Sequence, residues 1–176
     1  MDIEINAQEL QSRLSLIEQR KNIVYDVIAA GNDALGQGRK IIANYEELYS
    51  DSFVLRFFEQ IFPLFLLFAE HADVVIKLRV LMDEFRVKIR SFNQRYCDMA
   101  GKLIDENNSG FVSKRLEKIC KSVTKFYSVS GCKRKINKAV DVIYSVIENC
   151  ESMLEQLESD RITVQAKIDS LSKQVK

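Results

Sequence analysis

From Val54 to Leu103 apolar side chains recur every third or fourth residue, and this pattern constrains the fold more than any other feature. The line runs Val54, Phe57, Ile61, Leu64, Phe68, His71, Val75, Leu78, Met82, Phe85, Ile89, Phe92, Tyr96, Met99 and Leu103, with His71 as its one polar member. Steps that alternate between three and four keep side chains on one face of a helix, close to a coiled-coil repeat. A half-buried strand needs alternation with period two, and no segment of this chain shows it.

The same spacing organises both ends. Near the start it runs through Leu10, Leu14, Ile17, Lys21, Val24, Ile28, Gly31, Leu35, Gly38, Ile42, Tyr45 and Tyr49. Near the end it runs through Ile136, Val140, Ile143, Ile147, Cys150, Leu154, Leu157, Arg161, Val164, Ile168, Leu171 and Val175. Breakers are few, with one proline and six glycines in 176 residues. That composition favours helix nearly throughout. The expected fold is all-α, an elongated antiparallel bundle of long coiled-coil-like helices joined by short turns. It forms one domain over 1–176, with helices near 3–30, 33–49, 52–62, 64–106, 111–127 and 133–174.

Each expected boundary has a local reason. Gly31, Gly36 and Gly38 cluster, and each costs a helix about 1 kcal/mol relative to alanine. A bend or short break is expected there in preference to close packing on a neighbour. Ser50-Asp51-Ser52 offers a turn and a cap. Pro63 removes one helical hydrogen bond, so a kink or fresh start is expected at that point. Asn107 to Gly110 and Ser128 to Gly131 read as the remaining turns.

Several functional classes lack support. The single histidine lies on the apolar line, which suits a structural role, and no nucleophile motif accompanies it. Four scattered cysteines and one histidine do not make a metal site. The glycines before Arg39 lack the Gly-Lys-Ser/Thr ending of a phosphate loop. No catalytic residue, cofactor or metal is therefore expected, and the chain is expected not to be an enzyme. The acidic start lacks the pattern of a secretory signal. The most apolar run, Ile61 to Ala69, is far shorter than the roughly 20 residues that cross a bilayer. A cytoplasmic location with reduced thiols is the expectation, peripheral to a membrane in the lipid-binding reading below.

Two stretches stand out. Phe53, Phe57, Phe58, Phe62, Phe65 and Phe68 fall within sixteen residues that are apolar round nearly the whole helix. Such a helix is buried on all sides, or it is sheltered and later docks on a partner or enters a membrane. Between Lys114 and Lys138 lie nine bases, Lys114, Arg115, Lys118, Lys121, Lys125, Lys133, Arg134, Lys135 and Lys138, against Glu117 as the lone acid. That is a net +8 in a chain whose total is +1. Lys114, Lys118, Lys121 and Lys125 share one face. Lys133-Arg134-Lys135 are expected at a helix N-terminus, where the helix dipole opposes cations. The basic face either pairs with the acidic run Glu148, Glu151, Glu155, Glu158 and Asp160 of another copy or helix, or meets an anionic partner. Nucleic acid is the weakest candidate, for want of interleaved aromatics or a reader motif.

Two functions follow as expectations. The first is a non-enzymatic interaction module that assembles through helix faces with itself or another helical chain. The second is a membrane-acting bundle that binds anionic lipid through 114–138 and inserts the Phe-rich segment 53–68.

Overall fold

The computed structural model describes residues 2–50, 72–103, 112–118, 121 and 129–174. Every described residue is helical. We label the elements α1 (Asp2–Ser50), α2 (Ala72–Leu103), α3 (112–118) and α4 (Val129–Gln174). The all-α expectation holds, because the three-four repeat gives each helix an apolar face that only another helix face covers here. Pro63, His71 and all six phenylalanines from Phe53 to Phe68 lie outside the described residues, as do Lys125 and the expected helix over 52–62.

The chain divides into two units. The central unit, Ala29–Ser145, holds the second part of α1, then α2, α3 and the start of α4. Its core is set by α2, where Met82, Phe85, Ile89, Phe92, Tyr96 and Met99 are all buried in the predicted three-four order. Leu35 and Ile41 of α1, Leu116 of α3, and Ile136 and Ile143 of α4 close over them. Each such side chain contributes about 1.5–3 kcal/mol when fully removed from water. Polar contacts fix the pairing of α1 with α2. The buried Gln37 donates through Nε2 to the Leu81 carbonyl at 3.3 Å and to Glu84 Oε2 at 2.7 Å. Lys88 Nζ meets Asp33 Oδ2 at 2.5 Å. Residues later on α1 thus meet residues earlier on α2, so the two helices are antiparallel.

The glycine cluster does not break α1, which runs through Gly31, Gly36 and Gly38 as one helix of 49 residues. This corrects the expected end near 30 and restart at 33. The reason is packing. A Cβ at Gly38 would stand 3.1 Å from both Phe85 Cε2 and Val140 Cγ2, so the missing side chain lets α2 and α4 approach closely. Tertiary contact outweighs the weak intrinsic penalty of glycine in a helix.

A second correction concerns α4, which is already helical at Val129. Val129, Ser130 and Gly131, read from sequence as part of a turn, lie inside it. Lys133-Arg134-Lys135 therefore fall beyond the first turn, where the helix dipole has largely faded. Their charge calls for no special anion on that ground.

The terminal unit, Met1–Ile28 with Val146–Lys176, is built from the first part of α1 and the last part of α4. Lys21 meets Glu158, and Leu10 and Arg13 border the same cleft as Lys167 and Leu171, so these stretches run antiparallel. Among the described residues, no helix is long and apolar enough to cross a membrane.

Candidate interaction surface

The apolar lines of α1 and α4 each carry one long cation in the terminal unit, Lys21 and Arg161. The structure brings the two together on one carboxylate. Lys21 Nζ donates to Glu158 Oε2 at 2.7 Å. Arg161 donates to Glu158 Oε1 from Nε at 2.9 Å and from Nη2 at 2.7 Å. Glu18 adds a second, looser acid, 3.6 Å from Lys21 and 3.8 Å from Arg161. Lys21 is largely enclosed, with 13% of its side chain exposed.

The charges are stabilised mutually. Hydrogen bonds from Arg161 and then Lys21 push the Glu158 carboxyl down from 4.5 to about 2, against the opposing effect of desolvation. The bond to Glu158 raises Lys21 above its ordinary value, and the same carboxylate raises Arg161. A carboxylate held that low is a poor general base. Polar groups on an otherwise apolar seam serve better to fix which residues of two helices meet. Any slip of α1 along α4 would separate Lys21 from Glu158.

Around this cluster the surface is apolar but thinly covered. Leu10, Leu14, Leu154, Leu157, Ile168 and Leu171 lie on the predicted seam and remain half-buried. Ile17, Val24, Cys150 and Val164 alternate with them and are buried. Off the seam, Tyr25 is 52% exposed and Ile162 59%. An open groove of about 550 Å³ runs between the helices, lined by Lys21, Tyr25, Leu154, Glu155, Glu158, Ser159 and Ile162. Apolar walls with a charged rim suit a helix or a side-chain knob from another chain.

The basic residues singled out from sequence sort by exposure. Lys114, Lys118 and Lys121 are exposed and share a helical face, and Lys121 Nζ lies 3.1 Å from Glu117 Oε1. Arg134 and Lys138 are exposed on α4, while Lys133 and Lys135 are half-buried. Sequence reasoning missed Glu158 and Glu18 as the groups that answer Lys21 and Arg161. The clue was present, since two cations breaking two apolar lines call for a shared acid. Tyr25 and Ile162 left no clue, because they sit away from the lines.

Cys97 is half-buried and Cys150 is buried. Burial pushes the Cys150 thiol up to about 11, which marks it as packing. Cys97 Sγ donates to Ser113 Oγ at 3.3 Å, and Asn93 Nδ2 donates to the same oxygen at 3.2 Å, tying α3 to α2. Among the described residues, no three acidic, histidine or cysteine side chains are grouped to hold a metal ion. A scan against family models gives no match, and no curated protein or solved structure matches the chain.

Proposed function

We propose that this protein is a non-enzymatic helical interaction module that works by lending a helix face to an assembly, with itself or with another helical chain. One observation carries this reading. The terminal unit pairs two helical stretches in a fixed register, yet six seam residues on them stay half-buried. Two helices side by side cover only part of each other's apolar stripe, and further helices complete a bundle. The exposed Tyr25 and Ile162 beside the groove extend the surface on offer.

Light scattering over a wide concentration range, with a pull-down from native extract, tests the proposal. Concentration-dependent mass or a stoichiometric helical partner is the expected result. A strict monomer with no partner overturns it.

A second reading keeps the exposed Lys114, Lys118, Lys121, Arg134 and Lys138 as its support. Such a basic surface attracts acidic headgroups with an affinity that falls as salt rises. Here the chain binds anionic lipid through 114–138, and Phe53–Phe68 inserts. Failure to co-sediment with anionic vesicles at low salt, with no dye leakage, removes this reading.

A further inference from the structure

The two units differ in charge as well as in packing. The terminal unit contains eleven acids and seven bases, a net of −4, and the central unit fourteen acids and nineteen bases, a net of +5. Each unit carries an exposed helical stripe of its own excess sign. On α4 of the terminal unit, Glu148, Glu151 and Glu155 are exposed and share a face, with the exposed Ile162 two turns beyond Glu155 on the same side. In the central unit, Lys114, Lys118 and Lys121 are exposed and recur at helical spacing, with Lys121 Nζ 3.1 Å from Glu117 Oε1.

The spacings match in one orientation. Ascending the basic stripe, the steps are four and then three. Descending the acidic stripe, they are also four and then three. Two helices laid antiparallel therefore set Lys114 opposite Glu155, Lys118 opposite Glu151 and Lys121 opposite Glu148 without a slip. In a parallel arrangement the outer pairs still align, but Lys118 stands one residue, about 1.5 Å of helix rise, out of step with Glu151.

We propose that a second copy of this chain is the partner, its basic stripe Lys114, Lys118 and Lys121 lying antiparallel on the acidic stripe Glu148, Glu151 and Glu155. This rests on the interaction-module reading and names its partner. Each copy owns both stripes, so one chain type supplies both sides of the contact. Unit charge favours it over the pairing of two terminal units, which would set −4 against −4. Glu155 also borders the groove beside Leu154 and Ile162, so the incoming helix reaches that apolar edge as well. Exposed ion pairs are individually weak and screened by salt, so the association is moderate and falls steeply as ionic strength rises.

Charge swapping on the full chain tests the register. One variant carries Lys114→Glu with Lys118→Glu, and the other Glu151→Lys with Glu155→Lys. Sedimentation velocity at low salt should show each variant alone associating more than about tenfold more weakly than the wild type, since attraction becomes repulsion at every swapped position. Mixing the two variants should restore association, because each swapped stripe then meets its complement. A single chain carrying all four substitutions should also associate like the wild type. Circular dichroism confirms that each variant keeps its helices.

Weakening without rescue on mixing overturns the register. Wild-type association that none of the variants alters overturns the stripes as the contact, yet leaves the interaction-module reading intact. A wild-type chain that stays monomeric at low salt but binds anionic vesicles through these lysines assigns the basic stripe to lipid instead.

Discussion

The central and terminal units are written in the same three-four code and reach different degrees of completion. In the central unit the code places Phe85, Ile89 and Phe92 of α2 wholly out of solvent, with faces of α1, α3 and α4 around them. In the terminal unit the same spacing leaves Leu154, Leu157, Ile168 and Leu171 half-buried, with an ion cluster at the seam. The repeat dictates which side chains share a face. It does not dictate how many helices arrive to cover that face. The central unit finds its cover within the chain, and the incomplete cover of the terminal unit is the basis for proposing a partner.

The largest expected effect separates the two cores. Phe92→Ala removes a fully buried ring and should cost about 3–5 kcal/mol in denaturant unfolding. Leu157→Ala, on the half-buried seam, should cost less than half as much in the isolated chain. Equal losses would erase the distinction between the units.

Glycine substitutions sharpen the same point within α1. Gly38→Leu forces side-chain atoms onto Phe85 and Val140 and should destabilise by about 1–3 kcal/mol. Gly36 has nothing within 4 Å of where a Cβ would stand, so Gly36→Ala should stabilise by about 1 kcal/mol through helix propensity. Thermal melts of both variants check the contrast in sign.

The ion cluster predicts a pH dependence confined to the terminal unit. Because the folded Glu158 carboxyl is held near 2, below its ordinary 4.5, it stabilises the fold above that ordinary value. Its contribution is lost as pH falls from 4.5 towards 2. Lys21 is raised from 10.5, so its contribution is whole below that value and is lost only in stronger base. Amide protection factors, corrected for the slower intrinsic exchange in acid, should fall between pH 5 and pH 3 around 18–24 and 154–164, and Glu158→Gln should remove the effect. An equal fall in protection across α2 would contradict it. The smallest effect is chemical. In the native chain the buried Cys150 should react with a thiol reagent far more slowly than the partly exposed Cys97.

Much of the fold was legible because helical period is a local property of the backbone. Six successive positions of α2, Met82 to Met99, were read from spacing and are buried in that order. The glycines of α1 were not legible, because the fit at Gly38 depends on Phe85 and Val140, residues remote in the chain. The helical state of Val129 to Gly131 was missed for a related reason, since turn composition is a weak prior that a long packed helix overrides. Of the candidate surface, the exposed face of Lys114, Lys118 and Lys121 could be read directly. The meeting of Lys21 with Arg161 on Glu158 required knowing how α1 and α4 align.

The most direct test follows amide exchange along the full-length chain by mass spectrometry, first in dilute solution and then at rising concentration. Residues 7–28 and 146–173 should exchange much faster than 79–100 when dilute, and should gain protection as the chain becomes concentrated or its partner is added. Protection of the terminal unit equal to that of α2 in the dilute monomer would contradict the claim that its apolar seam awaits another helix.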